Sequence, residues 1–176
     1  MAVTAPVNPY SIQPYDSPDT GILESGETAY PYAWMTRIST GTSKTSEAGQ
    51  FTPYTGTAGE FPCGRMMPFG AEPDYTAARS DGSVLGDGTK KISVDVSRRV
   101  IIGIPVTGIA ALTDAGKLVY LADGDELTLT KGTGATIGGT AVGYVRKVIS
   151  VSAKTCEVVE YSEAEIIQSL TEEGVL

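Results

Sequence analysis

The chain has 176 residues, room for one ordinary domain and an appendage, since single cores take roughly 100–200 residues. Its formal net charge of −8 disfavours nucleic acid and anionic membranes as partners, because phosphate surfaces are bound by concentrated Lys and Arg. It has no histidine, which removes the commonest general base and the commonest transition-metal ligand.

The N-terminal third differs in kind from the rest. Nine of the ten prolines precede residue 74, and ten of the thirteen aromatic residues precede residue 76. From Met1 to about Thr57, Pro and Gly interrupt every candidate helix, and the apolar spacing keeps neither a period of 3.6 nor of 2. A solvated tail is the simplest reading of such a stretch, but disordered linkers are poor in large rings. Residues 1–57 are therefore expected to form an extended arm that orders on a partner, with Tyr10, Tyr15, Tyr30, Tyr32, Trp34, Phe51 and Tyr54 as the candidate contact residues. The start MAVTAPVNPY lacks the basic residues and apolar stretch of a signal peptide, and no run approaches the roughly 20 apolar residues of a membrane helix. Synthesis in the cytoplasm, without a membrane partner, is the expectation.

Residues 58–161 carry strand signals and predict a small β-barrel or β-sandwich. Lys91 to Ser97 alternates, with Ile92, Val94 and Val96 on one face and Ser93, Asp95 and Ser97 on the other. Val100, Ile102, Ile104 and Val106 continue the pattern, and Pro105 must sit where no backbone donor is required. Leu118–Leu121 and Leu127–Thr130 flank Asp123-Gly124, the signal of a hairpin turn. A second hairpin joins Val142–Val151 to Cys156–Tyr161, and the Gly-rich Lys131–Thr140 between the two is expected to be a mobile loop. In residues 162–176, Ser162 with Glu165 makes a helix capping box ahead of Ile166, Ile167 and Leu170. Six Glu and no Lys or Arg follow Thr155, so the end of the chain reads as an acidic patch.

Motifs that carry chemistry fail on inspection. Gly132 to Gly139 lacks the Lys-Ser/Thr ending of a phosphate loop, and its third Gly is one residue late for the dinucleotide pattern. Asp123, Asp125 and Glu126 do not continue into the spaced ligands of a calcium loop. Cys63 and Cys156 belong to no metal or redox spacing and are expected to remain thiols. Ser43-Lys44 is an adjacent pair in a polar stretch, read as surface. No catalytic, cofactor or metal residue is assigned, and the chain is expected to be a binding protein. The doublets Lys90-Lys91, Arg98-Arg99 and Arg146-Lys147 are either contacts to an acidic partner or strand-end charges that block edge pairing.

The order of segments resembles the structural cement, or capsid decoration, proteins of tailed bacteriophages. The likeness covers about residues 18–161. It begins with the Gly/Pro-punctuated arm from Pro18 through Ser39, followed by Phe61-Pro62-Cys63-Gly64-Arg65 as an aromatic-x-x-Gly-Arg strand. Ile101-Ile102-Gly103-Ile104-Pro105-Val106 then gives a Gly-Ile-x-Val step, Ala115-Gly116-Lys117-Leu118-Val119-Tyr120 a hairpin start, and Ala141-Val142-Gly143 a final strand. Two features depart from that family: Thr107–Asp114 is too short for its additional strand pair, and the helix after Ser162 is an addition. The resemblance implies no catalytic residue, a homo-trimer near capsid three-fold axes, the major capsid protein as partner, and a place on the outer surface of the virion. A tail or fibre piece and a β-sandwich carbohydrate-binding module are the alternatives. The first would show a sustained repeat, and the second would carry its rings on the folded domain, where only Tyr120, Tyr144 and Tyr161 follow residue 75.

Overall fold

Strand β9 (Arg99–Thr107) shows how the chain is shaped by one glycine. Its side chains do not hold a single alternation: Ile101 points into the core, Ile102 is exposed, and then Ile104 and Val106 are buried. The switch falls at Gly103, whose φ of +85° places it in the left-handed region. Opposite it, Cys156 pairs with Ile104 and Glu157 with Ile102, so Gly103 is the extra residue of a β-bulge. The sequence places Val100, Ile102, Ile104 and Val106 on one face; the bulge divides that face in two.

The computed structural model describes residues 11–12, 19–37, 50–55, 62–67, 81–123, 126–132 and 141–172. Besides β9 these form β1 (Ser11–Ile12), β2 (Asp19–Ile22), β3 (Thr28–Ala29), β4 (Trp34–Arg37), β5 (Phe51–Pro53), β6 (Pro62–Met66), β7 (Val84–Leu85) and β8 (Lys91–Asp95). They continue with β10 (Leu118–Asp123), β11 (Glu126–Thr128), β12 (Ala141–Ser150), β13 (Thr155–Glu160) and a helix, α1 (Glu163–Glu172). The chain is mainly β, as its sequence indicates.

Five strands close a barrel in the order β9-β11-β10-β12-β13, with β13 returning to β9. The β9–β11 seam is parallel and short, through Val106 with Leu127 and Thr107 with Thr128; the other barrel pairs are antiparallel. β1 also pairs with β9 at Ile101 and Ile102. Both expected hairpins are present, β10–β11 with Leu121 opposite Leu127 and β12–β13 with Val148 opposite Cys156. Residues 124–125 at the tip of the first hairpin and 133–140 of the Gly-rich segment lie outside the described residues. Inward side chains fill the barrel with Ile101, Ile104, Val106, Val119, Leu121, Leu127, Val142, Val145, Cys156 and Val158.

The helix forms as its capping box dictates. Glu165 N–H donates to Ser162 Oγ at 3.3 Å, while Ser162 N–H and Oγ–H donate to Glu165 Oε2 at 2.8 and 2.9 Å. Ile166 and Leu170, four apart on one face, are buried in the barrel cluster, whereas Ile167 is 45% exposed.

A second sheet has the order β2-β8-β6-β4-β5, and this corrects the extended arm expected over residues 1–57. Residues 19–37 and 50–55 are built into the fold. β4 pairs with β5 and β6, and β2 pairs with β8. Trp34 and Tyr54 enter the barrel cluster, while Met35 and Phe51 on the other side pack with Leu23, Ile92, Val94, Ala29 and Val84 in a second cluster. Strands of two to four residues are too short to display a period of 2, which is why they read as irregular. Their prolines occupy permitted places: Pro53 lies in the edge strand β5, Pro62 begins β6, and Pro31 precedes Tyr32 in a turn closed by Ala33 N–H to Tyr30 O at 3.1 Å.

Deleting residues 1–57 is therefore expected to abolish cooperative folding. It removes β1 to β5 and strips Trp34 and Tyr54 from the barrel core. Trp34→Ala alone is expected to cost about 3–5 kcal/mol by denaturant titration. A soluble truncated chain with native far-UV circular dichroism would contradict this partition of the core.

Candidate functional site

Four charged residues meet where the two sheets join. Arg65 on β6, Glu160 at the end of β13, Arg99 at the start of β9 and Asp95 at the end of β8 are each at most 4% exposed. Arg65 grips Glu160 with both faces of its fork: Nη2 donates to Oε1 at 2.6 Å, and Nε lies 2.9 and 3.0 Å from the two oxygens. Its Nη1 donates to the carbonyl of Tyr32 at 2.7 Å, holding the Tyr30–Ala33 turn, where Tyr32 has a φ of +65°. Arg99 Nη1 donates to Asp95 Oδ2 at 2.8 Å and its Nη2 to the Asp95 carbonyl at 3.0 Å. Arg99 Nε is 2.9 Å from Glu160 Oε2, an ion-pair contact without the alignment of a hydrogen bond. The Trp34 ring lies under both guanidinium groups, 4.9 Å from Arg65 and 5.8 Å from Arg99.

Two cations and two carboxylates make this cluster neutral, and its members are occupied with one another. Gly64 lets β6 come close enough: a Cβ there would stand 2.0 Å from the Asp95 carbonyl oxygen. Asp95 also accepts from Ser97 N–H and Oγ–H at 3.0 and 2.6 Å, closing the turn into β9. The polar face expected of Asp95 is thus corrected, because an arginine four residues on gives the carboxylate a buried partner. Arg99 is likewise withdrawn from the surface doublet to which the sequence assigned it. One signal for Glu160 was available: Cys156, Val158 and Glu160 share the inward parity of β13.

The barrel's outer face carries an open groove of about 390 Å³ lined by Arg98, Arg99, Val100, Tyr144, Arg146 and Val159. Register explains its floor. Leu118 pairs with Tyr144, Tyr144 with Val159 and Val159 with Val100, so the four lie in one row across β10, β12, β13 and β9. Their neighbours Val119, Val145, Val158 and Ile101 point into the barrel, which puts the row outside. Arg98 and Arg146 flank it with side chains 53% and 58% exposed. Arg98 Nη1 meets Glu165 Oε1 at 3.2 Å and Arg146 Nη1 meets Glu157 Oε1 at 2.9 Å. Each charge is thus matched by a carboxylate of the same chain, while a guanidinium has five N–H donors and, among the described residues, each keeps donors beyond the one turned to its Glu. Two of the sequence doublets thus converge here, while Lys90 instead lies 3.7 Å from Asp87.

The candidate contact residues are placed differently from expectation. Trp34, Phe51 and Tyr54 are 0%, 0% and 1% exposed, which makes them core residues and corrects their assignment as partner anchors. Large rings in short strands satisfy the chain's own hydrophobic requirement first. Tyr30 and Tyr32 are half-buried at their turn, and Tyr10 and Tyr15 lie outside the described residues. Ser43-Lys44 lies outside them as well.

The acidic patch expected after Thr155 is mostly neutralised. Glu157 pairs with Arg146, Glu160 with Arg65 and Arg99, Glu163 with Arg37 at 3.1 Å, and Glu165 with Arg98. Arg37 also pairs with Asp19, tying β4, β2 and α1 together. Cys63 and Cys156 are free, buried thiols, and burial pushes both up from the ordinary thiol range. Among the described residues no group of three or more His, Cys, Asp or Glu is placed to hold a metal, and no helix is long and apolar enough to cross a membrane. Comparison with family models, with curated proteins and with solved structures finds no match to this chain.

Glu160→Ala is expected to destabilise by about 3–5 kcal/mol in urea titration, because two buried guanidinium groups lose their shared counter-charge. Replacing Arg65 and Glu160 together by Met and Leu is expected to cost less than Glu160→Ala alone, since Arg99 keeps Asp95. A second test uses Asp114, in the 3-10 turn Leu112–Asp114. The Lys117 ammonium at 2.7 Å, with the N–H groups of Ala110 and Ala111, pulls its carboxyl down to about 2. A depressed folded-state pKa stabilises above the unfolded value of about 3.9 and is lost as pH falls through the folded one. Thermal melts of Asp114→Asn are therefore expected to lie below wild type at pH 5 and to converge with it near pH 2.

Proposed function

We propose that this chain is a non-catalytic structural protein that binds and cements the outer capsid surface of a tailed bacteriophage, with the major capsid protein as its partner and a symmetric homo-trimer as its working form. The observation that carries this reading is the division among its charged residues. The buried acids and arginines that could have furnished a reactive site close on one another between the sheets. The open groove offers guanidinium groups and an apolar floor, chemistry suited to binding a protein surface.

The order of sequence motifs supports the same reading, and the fold supplies reasons for two of them. Gly64 in the aromatic-x-x-Gly-Arg strand permits the close approach of β6 and β8, and Arg65 after it is the link to the barrel. Gly103 in the Gly-Ile-x-Val step is the bulge that turns β9. An acidic chain also avoids packaged nucleic acid while it sits on a protein shell.

The test is co-sedimentation with capsids assembled from a major capsid protein taken from the genome that carries this gene. Saturable binding at a fixed ratio to capsid subunits, with a raised capsid melting temperature, is the expected result. A chain that stays in the supernatant when in large excess over capsid would refute the proposal.

A further inference from the structure

Three of the thirteen aromatic residues follow residue 75, and the fold brings two of them together beside the groove. The Tyr144 ring stands 6.3 Å from that of Tyr161, centroid to centroid, with the planes tilted by 50°. The cause is local: Tyr161 N–H donates to the Val142 carbonyl at 2.8 Å, so the chain leaving β13 stays alongside β12. Tyr144 is half-buried and lines the groove, with Val159 and Val100 next to it in the same row. The floor is therefore an aromatic ring, with a second ring against it, that continues into aliphatic side chains.

The polar margin of the groove carries no net charge. Arg98 meets Glu165 and Arg146 meets Glu157, one carboxylate to each guanidinium, and the third arginine of the lining, Arg99, is engaged in the buried cluster. A phosphate, sulfate or carboxylate entering the groove would meet charges that are already matched. What the margin offers is donors and acceptors side by side. Each guanidinium has N–H groups beyond the one turned to its Glu, and each carboxylate has lone pairs beyond the one that accepts from its Arg. Glu165 is fixed further by Ser162, whose N–H and Oγ–H both donate to Oε2. Side chains held in this way lose less freedom when a ligand binds.

We propose that this groove binds a neutral saccharide, with the C–H face of a sugar ring against Tyr144 and its hydroxyl groups on the Arg98–Glu165 and Arg146–Glu157 pairs. A pyranose matches both features. One face presents C–H groups, which suit the electron-rich face of an aromatic ring, and its edge carries hydroxyls that donate and accept at once. The groove volume of about 390 Å³ lies within the roughly 300–1,000 Å³ of small-molecule sites. A protein interface of standard size covers about 800 Å² on each partner, far more than this groove. A saccharide site therefore goes beyond the capsid reading and does not rest on it.

A glycan array probed with the full chain tests this. The array carries neutral hexose and N-acetylhexosamine oligosaccharides together with sialylated and sulfated ones, and the neutral oligosaccharides that bind are then titrated by calorimetry. Selective binding to neutral members is expected, with a dissociation constant that changes by less than about twofold between about 0.05 and about 0.5 M salt, because no net charge is neutralised. Tyr144→Ala, Arg98→Gln and Arg146→Gln are each expected to weaken binding on the order of tenfold, whereas Tyr144→Phe retains it. Circular dichroism verifies that each substitution leaves the fold intact. No neutral oligosaccharide bound at millimolar concentration, binding confined to sialylated or sulfated glycans and fading with salt, or a Tyr144→Ala variant that binds as wild type does would each overturn the inference. Capsid co-sedimentation is scored separately: saccharide binding by a chain that ignores capsids rejects the capsid reading alone, and capsid binding by a chain that takes no neutral saccharide rejects this site alone.

Discussion

The contact on which the rest of the structure depends is the fork of Arg65 around Glu160. Arg65 belongs to the second sheet and Glu160 to the barrel, 95 residues apart. Arg99 shares Glu160 and takes Asp95, so four strands from both sheets, β6, β8, β9 and β13, end on one neutral cluster. Burying charge is expensive in itself, and an apolar replacement is often as stable. What an ion cluster adds is selectivity: its partners fit in one register, and any slip leaves a charge buried and unpaired. Here it fixes how β6 and β8 stand against the barrel end.

Trp34 completes that junction. Its ring packs in the barrel cluster while its face receives two guanidinium groups, so a single side chain answers both the apolar and the charged requirement. The neighbouring residue on β4, Met35, points into the second cluster. Alternation along one short strand thus feeds two cores. The two sheets are consequently interdependent, and the N-terminal strands are part of the fold.

The exterior is ordered by the same alternation. Each inward valine or isoleucine of the barrel leaves its neighbour outside, and cross-strand register aligns those neighbours into the row beneath Arg98 and Arg146. The helix closes the barrel with one face and presents the other.

Local pattern determined a good deal. Hairpins β10–β11 and β12–β13, the helix with its capping box and the mainly β class follow from turn chemistry, periodicity and capping, all of which act over a few residues. The convergence of Arg98 with Arg146 was half legible, as doublets without a location. Tertiary structure alone decided the fate of the N-terminal segment, because strands as short as Thr28–Ala29 or Phe51–Pro53 carry no periodic signal and are stabilised by pairing with distant strands. It also decided the bulge at Gly103, where an extra residue reverses the parity of β9. The same is true of the burial of Asp95 and Arg65, whereas Glu160 shares the parity of Cys156 and Val158 along β13; a charged side chain is otherwise settled as interior only when its counter-charge arrives from another part of the chain.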